Sequence, residues 1–201
     1  MQSSTRDPLD YAAARQAMID SQLRTSGVNA DWALARMNAV PRETFVPPAQ
    51  RAAAYSDRAV RMDAEGSLAA PLFYGMLLQE ARPASRDRVL IVSAAPAYLA
   101  ELVRPLVGEV ATVSPVEAMD GASGGADTYS LLLIDGAAEQ VPPSLVARLE
   151  PDGRAVGGVV TNGVQRLATG RLAGGELVFQ PVMEMGIPRL AQFDKPKSWR
   201  F

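Results

Sequence analysis

The sequence predicts an α/β protein: an open, mostly parallel sheet with an antiparallel carboxy-terminal end, preceded by a helical cap. Three observations predict it. From Arg88 onward, short apolar runs alternate with amphipathic stretches. The run "YSLLLID" (129–135) is apolar on both faces, as a central parallel strand is. Before residue 40, apolar residues recur at helical spacing.

Residues 1–8 read as a disordered start, and 9–25 as a helix with Tyr11, Ala14 and Met18 on one line, stopped by Gly27. A second helix runs over 31–39 and ends before Pro41, because the residue preceding a proline disfavours helix. The stretch 41–71 carries Pro41, Pro47, Pro48 and Pro71 and reads as irregular, too long for an idle connector. A helix follows over 72–82. "RVLIV" (88–92) is a strand, and 97–107 a helix with Leu99, Leu102, Val103 and Leu106 on one face. "EVATV" (109–113) is a second strand and "YSLLLID" a third. "PPSLVARLE" (142–150) is a short proline-led helix and "PDGR" (151–154) a turn. "AVGGVV", "VQRLATGRL" and "ELVFQPVME" are strands, the last two forming a hairpin across "AGG" (173–175). The expected division is a helical subdomain with a loop over 1–82 and the sheet domain over 83–201.

Composition narrows the chemistry. The chain of 201 residues has room for one full core. It contains no cysteine, which excludes disulfides, thiolate catalysis and cysteine-bound metal. It contains no histidine, which removes the commonest general base and every Ser-His-Asp triad. No metal site is expected. With a net charge of -2 and no basic stripe, no nucleic-acid partner is expected. No apolar run reaches the length of a membrane span, and the start of the chain lacks the apolar core of a signal peptide. The expectation is a soluble cytoplasmic protein without a membrane partner.

Residues 89–102, "VLIVSAAPAYLAEL", form a strand-turn-helix corner of the kind that cradles nucleotide-like cofactors, yet its turn holds no glycine. Around it lie Met18, "QLR" (22–24), "GV" (27–28), "VPRETFVP" (40–47) and "AYSD" (54–57). In this order they resemble the protein-L-isoaspartate O-methyltransferase family. The resemblance runs on through "DRVLIV" and through 129–160, where the family has its fourth strand, a proline-led helix and a fifth strand. It implies a Rossmann-like class I methyltransferase sheet, S-adenosylmethionine as cofactor, and a protein or peptide substrate carrying isoaspartate. An isoaspartyl carboxylate is already a nucleophile at neutral pH. The chemistry therefore asks mainly for alignment, which a protein without histidine can provide.

Residue by residue, the carry-over is uneven. The family's Gly-x-Gly-x-Gly falls on Ser93, Ala95 and Ala97, and Pro96 removes a further N–H donor. Its ribose-holding acid falls on Ser114, with Glu117 nearby. Only residues 115–134 stand where the family places a helix, a third strand and another helix, so the second strand is expected at the sheet edge. In the substrate loop, Ser67 keeps one hydroxyl, Ala69 lacks the other, and Glu65 adds a charge. Ser67 and Asp135, at the end of a central strand, are the candidate catalytic residues. The alternative for Asp135-Gly136 is a turn that starts a loop. In "VPRETFVP", Phe45 and Val46 are expected as packing plugs and Arg42–Glu43 as surface charge. Trp199 and Phe201 are expected to dock on the protein's own sheet. The functional expectation is a family homologue with weak or no methyl transfer, a pseudoenzyme or scaffold. The alternatives are an active carboxyl methyltransferase and a homodimer paired through the second strand.

Overall fold

The computed structural model describes residues 10–62, 66–95, 97–120 and 127–196. The expectations for 1–8, Glu65, Pro96, Trp199 and Phe201, and for part of 115–134, lie outside them. Helix α1 (Tyr11–Met18) is capped by the Asp10 carboxylate, which accepts the Ala13 N–H at 3.0 Å. The predicted single helix then widens into a π turn (Ile19–Leu23) and tightens into a 3-10 turn (Arg24–Ser26) before Gly27, at φ 97°, ends it. The Ser21 and Thr25 hydroxyls donate to the carbonyls of Ala17 and Ser21, four residues back in each case, and such bonds distort a helical ladder. Helix α2 (Asp31–Ala39) stops before Pro41 as expected.

The irregular stretch contains 3-10 turns at Arg42–Phe45 and Pro48–Ala53, then a short antiparallel ribbon of β1 (Val60–Arg61) and β2 (Ser67–Leu68). Helix α3 (Pro71–Ala81) opens on Pro71, whose missing N–H costs nothing at a first turn. The main sheet consists of β3 (Arg88–Ser93), β4 (Glu109–Val113), β5 (Tyr129–Ala138), β6 (Leu149–Thr161), β7 (Val164–Ala173) and β8 (Glu176–Glu184). Their order is β4-β3-β5-β6-β7-β8, parallel from β4 to β6 and antiparallel beyond. Strand β4 therefore takes the edge, and among the described residues it pairs with β3 alone. Helices α4 (Ala97–Val103), α5 (Pro115–Asp120) and α6 (Pro143–Val146) complete the set.

Two local expectations need correction. "PDGR" is not a terminal turn but a wide bulge inside β6: Tyr129 pairs with Leu149, and Leu131 with Arg154. The proline-led helix is one turn long, because the backbone turns into β6 at Leu149. After β4, α5 opens the stretch in which the family's helix, third strand and second helix were expected to be missing. Both hairpins have two-residue turns with positive φ throughout, Asn162-Gly163 between β6 and β7 and Gly174-Gly175 between β7 and β8.

Alternation along β3 and β5 sorts their side chains onto two faces. Val89, Ile91, Leu131 and Leu133 join one core with α1, α2, α3 and α4. Leu90, Val92, Leu132 and Ile134 join a second core with α5, α6 and the strap after β8, which contributes Leu190 and Phe193. The amino-terminal helices thus share a core with the sheet.

The amino end of the sheet is tied by a polar knot. Arg154 of β6 grips the Asp87 carboxylate with two nitrogens, at 3.0 and 2.6 Å, and also donates to the Ala81 carbonyl at the end of α3. Asp87 accepts further from the Ala84 N–H and the Ser130 hydroxyl. Burial opposes its ionisation, but these bonds outweigh it and hold the carboxyl below its usual range. No helix among the described residues is long and apolar enough to cross a membrane.

Candidate functional site

The carboxyl edge of the parallel strands, opposite the knot, is where open α/β sheets receive ligands. Strand β3 delivers Ser93 there and β5 delivers Asp135, in direct parallel register. Asp135-Gly136 is not a loop-starting turn. The strand continues to Ala138, and relative to β6 these two residues form a bulge, because Ile134 pairs with Gly157 and Ala137 with Gly158. Glycine is required on both sides of it. A Cβ on Gly157 would stand 2.6 Å from the Ile134 carbonyl oxygen, and Gly136 has φ 149° beneath the Leu190 side chain.

The bulge aims Asp135 at Ser93, whose hydroxyl donates to its Oδ2 at 2.8 Å and accepts the Ala95 N–H at 3.0 Å. Asp135 is 6% exposed, and its Oδ1 has no hydrogen-bond partner among the described residues. Burial raises its pKa to about 6, against the lowering pull of the Ser93 hydroxyl, the nearby Tyr74 hydroxyl and the Arg42 charge.

Arg42 is a correction: expected at the surface, it is fully buried. Its Nε donates to the Ala54 carbonyl at 2.7 Å and its Nη2 to the Ala69 carbonyl at 2.5 Å. Its guanidinium carbon lies 5.4 Å from the Tyr74 ring centre and 5.2 Å from that of Tyr98. The reason is structural. The irregular stretch offers carbonyls that no ladder satisfies, and a planar cation can serve two of them at once. Glu43 is also largely covered and accepts from Arg15 at 3.0 Å and from the Tyr55 hydroxyl. Burial, then the bond to Glu43, pushes Tyr55 up to about 12.

The other candidate positions separate. Ala95 and Ala97 line a cleft of about 460 Å³ with Phe45, Val46, Leu68 and Tyr98. Phe45 packs on Tyr98 with ring centres 5.4 Å apart, beside this corner. Ser67, one residue before Leu68 on β2, lines a different cleft of about 540 Å³ with Asp57, Arg58, Gln165 and Gly186. Between the two, the backbone at Gly66 rests on the corner: a Cβ added there would stand 2.7 Å from that of Ala94. Ser114 is the N-terminal cap of α5. Its hydroxyl accepts the Glu117 N–H at 3.2 Å, and the Glu117 carboxylate accepts the Ser114 N–H at 2.8 Å. These bonds lower the Glu117 pKa, first through the Ser114 backbone and then through its hydroxyl. The sequence reading missed the buried group around Asp135 (Arg42, Tyr74 and Tyr98), since no spacing rule joins residues so far apart.

No cluster of metal-ligating side chains occurs among the described residues. The mixed sheet, parallel from β4 to β6 and carrying a strand-turn-helix corner at β3, is a Rossmann-like α/β fold of the methyltransferase class. The family model for protein-L-isoaspartate(D-aspartate) O-methyltransferase matches residues 13–128. A protein-L-isoaspartate O-methyltransferase of Bradyrhizobium sp. (strain ORS 278) is 31% identical, over 78% of this chain and 84% of that protein. One from Desulfosudis oleivorans is 26% identical, over 80% and 83%. The crystal structure of a protein described as a putative protein-L-isoaspartate O-methyltransferase from Plasmodium falciparum, in complex with S-adenosyl-L-homocysteine, superposes with a TM-score of 0.68 at 12% identity. That match covers 92% of this chain and all of the other. The chain belongs to the protein-L-isoaspartate O-methyltransferase family.

Proposed function

We propose that this family member transfers methyl groups from S-adenosylmethionine weakly or not at all, and that it acts by binding rather than by turnover. One observation carries the reading: the Ser93 hydroxyl is spent inside the corner, between the Asp135 carboxylate and the Ala95 N–H. A glycine-rich turn presents free amides and open space to a ligand. Here a side chain closes one amide, methyl groups occupy Ala95 and Ala97, and Gly66 backs onto Ala94. At the ribose position the only hydroxyl caps α5, and the nearest carboxylate is folded back on the same turn. These residues do not fit the cofactor in the manner of the family.

The test is a calorimetric titration with S-adenosylmethionine and with its demethylated product, paired with methyl transfer to an isoaspartyl peptide. The expected result is no heat beyond dilution and no labelled peptide. Tight binding of either ligand would refute the proposal. A second reading, an active carboxyl methyltransferase with an altered pocket, draws support from the cleft beside Ser67. Its volume lies within the range of small-ligand sites, and it presents Asp57, Arg58 and Gln165 to a peptide.

A further inference from the structure

Strands β6, β7 and β8 follow one another by tight hairpins, so no crossover helix lies between them. Beyond the single turn of α6, the sheet face there opens into a groove of about 1030 Å³. Its apolar lining includes Val141, Val146, Leu172, Leu177 and Phe179, all only half-buried. The strap after β8 already covers the adjoining part of this face. It returns to pair with Ala137, seats Leu190 and Phe193 in the second core, and is pinned where Glu139 accepts from Arg189 at 2.7 Å and from the Lys195 N–H at 2.9 Å. Lys195 itself lines the groove.

We propose that the groove is the docking site of the chain's own residues 197–201, "KSWRF", with Trp199 and Phe201 as its anchors. Three features argue for this occupant. The first is the point of departure: the described chain leaves off at Pro196, beside the groove, and five extended residues reach about 16 Å. The second is alternation. Residues two apart share a face of an extended segment, so Trp199 and Phe201 enter the groove together while Ser198 and Arg200 face away from its floor. The third is charge. The groove carries Glu139 and Glu176 on its walls, and the segment carries Lys197 and Arg200.

The chain has two tryptophans, so Trp32→Phe leaves Trp199 as the sole tryptophan, which is excited selectively at the red edge of the absorption band. The expected result is a blue-shifted emission and several-fold weaker acrylamide quenching than in a free peptide KPKSWRF, both independent of protein concentration. Leu177→Lys and Val141→Lys, each checked for unchanged circular dichroism, should return both readouts toward the peptide values. An emission and quenching constant equal to those of the peptide would overturn the proposal. Protection that vanishes on dilution would also overturn it, because the segment would then be docking in a second copy.

Discussion

Asp135 sets the local energetics of the carboxyl edge. A carboxyl whose pKa rises from 3.8 to about 6 on folding is being ionised against its environment at neutral pH. The cost of that ionisation is about 3 kcal/mol at roughly 1.4 kcal/mol per unit. Asp135→Asn should therefore stabilise the protein at neutral pH by up to that amount, and should change little below the pKa of the unfolded state. Urea unfolding midpoints measured across that range check it, and an unchanged midpoint at neutral pH would contradict the burial argument. Neither the pairing of Ser93 with Asp135 nor the burial of Arg42 was legible in the sequence. The first depends on the register of strands 42 residues apart. The second runs against the ordinary preference of arginine for water.

At the scale of elements, most of the fold was legible, because periodicity and punctuation are local. Strands β3, β4, β7 and β8 lie where apolar runs and glycine turns put them, and α2 ends where Pro41 requires. The turn of α5 was also written in the sequence as "SPVE", the pattern of a capping box, although Ser114 was read as a ribose position. The two roles predict different behaviour. As a cap, Ser114→Ala should cost about 1 kcal/mol in unfolding free energy, with no change in the calorimetric response to S-adenosylmethionine. A selective loss of ligand binding would point to the other role. The knot is the larger contributor. Arg154→Met leaves the Asp87 carboxylate, 3% exposed, without its charge partner. Removing one partner of a buried pair costs on the order of 3 kcal/mol, which a denaturation curve will read directly.

Across the whole molecule the two ends of the sheet titrate in opposite senses. Asp87, with its pKa lowered by folding, contributes stability that is present above its unfolded value and lost as pH falls through the folded one. Asp135, with its pKa raised, contributes stability that is present below its unfolded value and lost as pH rises toward about 6. These two groups should therefore give a stability profile that peaks at about 4, and that falls as pH rises to about 6 by an amount that Asp135→Asn abolishes. The separation has a further consequence, which lies in how such a chain changes over time. The Asp87–Arg154 knot fastens α3, β3, β5 and β6 at the end of the sheet remote from the corner, so this share of the fold's stability does not come from the residues that would meet a ligand. Substitutions at 93, 95, 97 and 114 leave the knot intact. The scaffold is free to outlive one chemistry and to be recruited for another.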